Sequence, residues 1–285
     1  MSVPNRLSPA AQDVRRYDRD RFGTTLFASD QDREPLLTLF AFNLELARVR
    51  EQVSEPMLGR IRLQWWRDTI EQIFEKGRPA GQTHPVATDL AALVRQRGLS
   101  RSPFDRLIDS RETDLEDDLL ADLSALEDYA EGTASTLNYL ALEILGVNDD
   151  DGAFRAARHV GIAWALTGLL RAVPFHAASG RVMMPAALLD EFNVSRDGLV
   201  RGNATPQLRA MTQELAARAR DHLARARTYR DRLPETALPA LLTAPLAEIY
   251  LNRLARVDHD PLNTRWSATR PHVVRLAFHA LRKRY

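Results

Sequence analysis

The chain has 285 residues, 45% of them apolar and 27% charged, with 39 basic against 38 acidic side chains and a formal net charge of +1. That length is enough for one large domain or two small ones, the composition is that of a globular protein, and the near-zero charge excludes a global field that would recruit nucleic acid or an anionic membrane, so any such contact must be a local patch. No cysteine is present, which excludes disulfides, thiol catalysis and cysteine-ligated zinc or iron-sulfur clusters.

The opening run MSVPNRLSPAAQ lacks the basic-then-apolar order of a signal peptide. Helical periodicity dominates from there on, and no stretch alternates with strand period. Over residues 34–53, Leu36, Leu37, Phe40, Leu44 and Ala47 recur at three- and four-residue steps and predict a helix. Pro56 opens the next, carrying Leu63, Trp65, Trp66, Ile70 and Ile73 before Gly77 stops it. Ser102 before Pro103 is a further start signal, with Gly98 and Gly146 as stops. A long helix is predicted over 123–145 and another over 153–172, ending where Pro174 removes a donor. The longest apolar run, near residues 160–170, is shorter than the roughly 18 residues of a membrane span. A loop is predicted over 175–181, then helices over 205–233, 236–256 and 269–285. With no linker and no repeat, one all-α domain over 1–285 is the economical reading.

Two segments look like sources of chemistry. The run FAFNLELARVRE at 40–51 and the run GIAWALTGLLRAVPFHAASGRVMMP at 161–185 resemble the two signatures of the squalene/phytoene synthase family, Y-A-F-C-R-x-x-D-D-x-x-D and G-x-A-x-Q-x-T-N-I-x-R-D-x-x-x-D followed by G-R-x-Y-x-P. Arg171, Gly180, Arg181 and Pro185 match the frame. At the acidic positions, however, Ala47 and Arg48 stand for the paired acids, Glu51 survives, and Ala172 and His176 replace the two aspartates. RLQWWRDTI at 62–70, YAEGTASTL at 129–137 and the helix around Tyr250 match further family segments in the correct order.

The resemblance implies an isoprenoid-synthase fold, helices around a central cavity lined in part by Ala47, Glu51, Trp66, Ala172 and His176. In the family the signature aspartates hold magnesium against a prenyl diphosphate, whose departure requires divalent cations to neutralise developing charge. Magnesium prefers an octahedron of oxygen ligands, which alanine and histidine do not supply. Asn43, Glu45, Leu46, Ala47, Ser54, Glu55, Gln64 and Trp66, with Arg171, Pro174 and His176, carry a closer likeness to a branch that lacks these aspartates and serves the building of respiratory complex I. It implies a non-catalytic or altered family member, with complex I subunits or assembly intermediates as partners and an isoprenoid or lipid as ligand. It would need no cofactor, and it would sit in the cytoplasm with at most peripheral contact at the inner membrane. The alternative is a working prenyl-diphosphate transferase, with magnesium held by Glu45, Glu51 or other acids.

Glu45, Arg48, Trp66, Tyr129, Arg171 and Arg181 are the cavity or anion-binding candidates, Arg62 and Arg67 lying nearby. Arg48 has two open readings: a cation turned into the old pocket, or a partner of Glu45 or Glu51 along its helix. Trp65 and Trp66 lie on an amphipathic helix, where aromatics usually fill core. Asp114, Asp117, Asp118 and Asp122 alternate with leucines as a solvated face does, and Asp149, Asp150 and Asp151 precede a helix they would cap. The seven histidines show no metal-binding spacing, and no phosphate loop or nucleophile elbow is present.

Overall fold

The computed structural model describes residues 7–79, 84–116, 119–269, 272–282 and 284–285, and every regular element among them is helical. The first half comprises α1 (Pro9–Tyr17), α2 (Arg19–Thr25), α3 (Asp30–Ala47), α4 (Pro56–Lys76), α5 (Pro85–Arg97), α6 (Ser102–Ser110), α7 (Leu123–Ala130) and α8 (Thr136–Ile144). The second comprises α9 (Asp151–Ala178), the short α10 (Ala186–Glu191) and α11 (Arg196–Val200), α12 (Pro206–Arg227), α13 (Leu238–Leu241), α14 (Thr243–Ala255), α15 (Thr264–Ser267) and α16 (Val273–Leu281).

The axis is α9, which packs against α8, α12, α14 and the turn between α7 and α8. Its length and apolar composition would allow it to cross a membrane, but 56% of its most apolar window is buried by the other helices. This corrects the sequence expectation of too short a run: the helix is apolar on several sides because it is the centre of the bundle. The sequence also predicted its end before Pro174, yet it runs four residues past that proline to Ala178. Buried Val173 and Ala177 hold the last turns on the core, and packing outweighs the ~3 kcal/mol that an interior proline costs. Asp150 caps its start, accepting from the Ala153 amide at 2.9 Å. Its end closes through Gly180 (φ 71°) and a bond from the Arg181 amide to the His176 carbonyl at 2.8 Å.

The predicted stops hold, Gly77 and Gly98 both adopting the left-handed conformation that ends a helix, at φ 68° and 63°. The helix expected over 123–145 exists but is interrupted by one π turn, Glu131–Ser135. This widened turn lies against Gly161 of α9, where any side chain would meet the Ser135 backbone. The helix expected over 34–53 ends early, at Ala47, and a separate 3-10 turn, Arg50–Gln52, follows. The final helix is shorter than predicted, Val273–Leu281, and the chain end is tied down by the Tyr285 hydroxyl, which donates to the Ala226 carbonyl at 2.9 Å.

Candidate functional site: an arginine-lined cavity

A cavity of about 250 Å³ opens among α3, α9 and the π turn. From α3 come Asn43 and Ala47, one helical turn apart. From α9 come Ala165, Gly168, Leu169, Ala172 and His176, which recur at three- and four-residue steps and so share one face. The small residues on that face leave the space, and Tyr129, Thr133 and Ala134 from α7 and the π turn complete the wall. Glu51 joins from the 3-10 turn after α3. Ala47, Glu51, Ala172 and His176, the positions contributed by the two signatures, therefore converge on one space although the chain separates them by more than a hundred residues.

Positive charge dominates that space. Arg21, Arg50, Arg111 and Arg181 line it against two carboxylates, Glu51 and Asp114. Arg21 is held by Asp18 at 2.9 Å, with its guanidinium 5.8 Å from the Trp164 ring centre. Arg111 reaches Asp114 at 3.1 Å and both the Tyr129 hydroxyl and the Asn43 side-chain oxygen at 3.3 Å. The Tyr129 hydroxyl donates to the other Asp114 oxygen at 2.7 Å, and Arg181 donates to the Asp114 main-chain carbonyl at 2.6 Å. Burial and the neighbouring Asp114 push the Tyr129 pKa well above its ordinary value, so it stays a hydroxyl donor. Burial opposes the Arg111 charge, but Tyr129 and Asp114 outweigh it and its pKa rises. Burial, reinforced by Arg181, lowers His176 to about 4 and leaves it a neutral imidazole near pH 7. Three buried nitrogens around the cavity, Arg21 Nε, Arg111 Nε and His176 Nδ1, have no hydrogen-bond partner, an unusual concentration for buried polar atoms.

These residues do not fit a magnesium cluster. Both side-chain oxygens of Asp114 are engaged, one by Tyr129 and one by Arg111, which leaves Glu51 as the remaining carboxylate of the lining. Among the described residues no group of three or more histidine, aspartate or glutamate side chains could hold a metal ion.

Several sequence candidates lie elsewhere, and helix geometry explains each. Trp66, expected in the cavity, is buried edge-on against Phe42 at 5.0 Å. With Glu45, Arg62, Trp65 and His84 it lines a separate pocket of about 270 Å³ between α3 and α4. Glu45 sits two residues from Ala47, roughly 200° around the helix, and is 3.8 Å from His84. Arg48 takes neither of its two expected roles, because the helix ends at Ala47 and the guanidinium stacks on Tyr17 at 4.0 Å. Arg171, one position from Ala172 and so turned by about 100°, leaves the cavity face. It pairs with Asp20 at 3.2 Å and stacks on Tyr250 at 3.8 Å. Arg62 bonds Gln52, and Arg67 bridges Asp109 and Glu112. Tyr129 and Arg181 are in the cavity as expected.

Asp114 corrects the solvated-face reading of the acidic run, with a side chain only 14% exposed. Asp122 caps α7, and Asp117 and Asp118 lie outside the described residues. Arg21, Arg50 and Arg111 were missed altogether. A signal existed for Arg111, which shares a helical face with Leu107, Ile108 and Leu115, all fully buried, and a charged residue on an apolar stripe marks a buried ion.

A helical bundle enclosing a cavity fed by these two segments defines an all-α protein of the isoprenoid-synthase fold. The chain belongs to the squalene/phytoene synthase family, whose profile matches residues 14–276. It is similar to the complex I assembly factor 6 of Rattus norvegicus, with 36% identity over 247 residues, 87% of this chain and 73% of that protein. The Homo sapiens protein of that name is 34% identical over the same shares. Presqualene diphosphate synthase of Rhodopseudomonas palustris is 30% identical over 210 residues, 73% of each chain. Among solved structures, a dehydrosqualene synthase in complex with ligand superposes with a TM-score of 0.81 at 16% identity, over 96% of this chain and 94% of that one. Squalene synthase HpnC from Alicyclobacillus acidocaldarius gives 0.77 at 20% identity, over 88% and 94%. At those identities the structures establish the fold alone.

Proposed function

We propose that this chain supports the assembly of respiratory complex I as a binding protein, and that its cavity takes an anionic amphiphile without metal. The relatives named complex I assembly factor 6 support the first half. The observation that carries the second is the cavity lining, four guanidiniums against two carboxylates. Arginine offers fixed, permanently charged donors for phosphate or carboxylate oxygens, and the unpartnered Nε atoms of Arg21 and Arg111 suit an acceptor. Trp164, Leu169, Phe175 and Met183 supply apolar wall in the same space, so the matching ligand is an isoprenoid or lipid with an anionic head. Binding that ligand and binding complex I intermediates would be the two activities of one domain.

Two experiments test this. Deletion of the gene should lower NADH:ubiquinone oxidoreductase activity and the amount of assembled complex I, and the intact gene should restore both. Unchanged complex I in the deletion strain would sink the assembly role. Purified protein given farnesyl or geranylgeranyl diphosphate with magnesium should release no diphosphate above background. Turnover abolished by Glu51→Ala would instead establish the transferase, a reading favoured by the survival of Glu51 at the cavity and by the presqualene diphosphate synthase relatives.

A further inference from the structure

We propose that α16 is a docking helix for an anionic lipid bilayer. The proposal stands on this helix and its neighbours and does not rest on the assembly role.

The helix is apolar on two sides. Leu276 is 1% exposed and packs toward α2 near Gly23, which accounts for one side. On another, Val274, Phe278 and Leu281 are 85%, 51% and 84% exposed. They recur at four and three residues and form a continuous stripe on one face. Three large apolar side chains open to water on one nine-residue helix form a patch that asks for an occupant.

Charge identifies the occupant. Arg275 and Arg282, seven residues apart, run along one edge of the stripe, and the Arg282 guanidinium lies 3.9 Å from the Phe278 ring centre. Beside Val274 a groove of about 490 Å³ separates α16 from α14, lined by Arg253, Arg256 and Arg275 with no carboxylate among its lining residues. On the other flank a groove of about 620 Å³ between α16 and the α1–α2 corner carries Arg15, Arg16 and Arg19 beside apolar Phe22, Leu26 and Leu246, against one carboxylate, Asp20, which is already engaged by Arg171 and the Tyr250 hydroxyl. An apolar stripe set between arginine-bearing grooves matches the layering of a bilayer surface, with acyl chains below and phosphates above, and long arginine side chains can keep their heads at the phosphate level. The chain's formal net charge is only +1, so this concentration is a local feature. It is the patch a nearly neutral protein needs to approach an anionic surface.

The test is co-sedimentation of the full-length protein with vesicles of phosphatidylcholine alone and of phosphatidylcholine mixed with phosphatidylglycerol. The protein should sediment with the anionic vesicles and stay in solution with the neutral ones. Val274→Ser with Leu281→Ser, and separately Arg256→Glu with Arg275→Glu, should each lower the partition coefficient by at least about tenfold, since one basic residue near an anionic surface contributes about fivefold. All four side chains are exposed, and circular dichroism should show both variants folded. A Phe278→Trp variant should shift its added emission to the blue on anionic vesicles alone. Wild-type protein left in solution with anionic vesicles at low salt overturns the proposal and leaves an acidic protein as the occupant. So does either double variant binding as well as the wild type.

Discussion

Gly161→Ala and Gly168→Ala are the same substitution, about two turns apart on α9, and they should act in opposite directions. In a helix interior, alanine is favoured over glycine by about 1 kcal/mol. At Gly168 a methyl group would meet nothing within 4 Å, so most of that gain should appear as stability. At Gly161 the methyl would land on the Cα and amide nitrogen of Ser135. Backbone cannot rotate away, and the π turn there is also pinned by the Ser135 hydroxyl donating to the Arg158 carbonyl at 2.7 Å. Overpacking costs about 1–3 kcal/mol where side chains can give, and a backbone contact places Gly161 at or above the upper end. Net of propensity, Gly161→Ala should lose about 2 kcal/mol while Gly168→Ala gains up to about 1. Urea unfolding followed by circular dichroism measures both as shifts in midpoint at unchanged slope. Because the π turn carries Thr133 and Ala134 into the cavity, the Gly161 variant should also bind inorganic diphosphate more weakly. Equal midpoints for the two variants would refute the claim that the helix crossing under the cavity is set by the absence of one methyl group.

Three further outcomes follow from buried charge. Asp20 is 7% exposed between Arg171 at 3.2 Å and the Tyr250 hydroxyl at 2.9 Å; Asp20→Ala leaves the partly buried Arg171 guanidinium without its carboxylate and should cost about 3 kcal/mol in urea unfolding, the low end for a broken buried pair because Arg171 keeps Thr269 and the Tyr250 ring. Asp114→Asn, which weakens the carboxylate shared by Arg111 and Tyr129, should destabilise the fold, yet raise affinity for inorganic diphosphate in calorimetry, because it removes a competing anion from the cavity. His159 and His222 face each other at 3.0 Å, and burial, reinforced by that neighbour, lowers His159 from 6.5 to about 4. A group whose folded pKa is depressed in this way favours the folded state when unprotonated. Its stabilisation is complete above about pH 6.5 and is lost as pH falls toward about 4. Unfolding midpoints measured across that window should fall with pH, and His159→Gln should flatten the slope.

The sequence carried the fold well because the fold is written in helix period and stops. Gly77, Gly98, Pro56 and the apolar stripes are local signals, and each is obeyed. What failed was anything decided by packing at a distance. Pro174 is a local stop signal overruled by the burial of Val173 and Ala177. The π turn has no local signal, since Gly132 and Gly161 reveal their purpose only once α9 lies against Ser135 and α6 against the turn. Likewise the helix expected over 269–285 had no face assigned to it, and its second apolar face is visible only when Leu276 is seen to be the side that packs.

The same distinction explains the candidate site. Motif positions converged on the cavity because a signature spaced by four keeps its members on one helical face, as Ala172 and His176 show. Arg171, one residue from Ala172, and Glu45, two residues from Ala47, did not, because each step along a helix turns the side chain by about 100°. Arg21 and Arg111 arrive from elements without any family signature, and they change the sign of the space. With His176 neutral, four guanidiniums stand against Glu51 and Asp114 in the lining and Asp18 behind Arg21, which leaves an excess of one positive charge. A cation drawn in to meet a ligand would have to overcome that field, whereas an anion is met by it directly. Neutralisation of a bound diphosphate by metal ions and neutralisation by resident arginines are therefore competing designs for one cavity, and adding magnesium to a diphosphate titration separates them. Arginine-based binding should weaken as magnesium sequesters the free anion, while metal-based binding should appear only when magnesium is present.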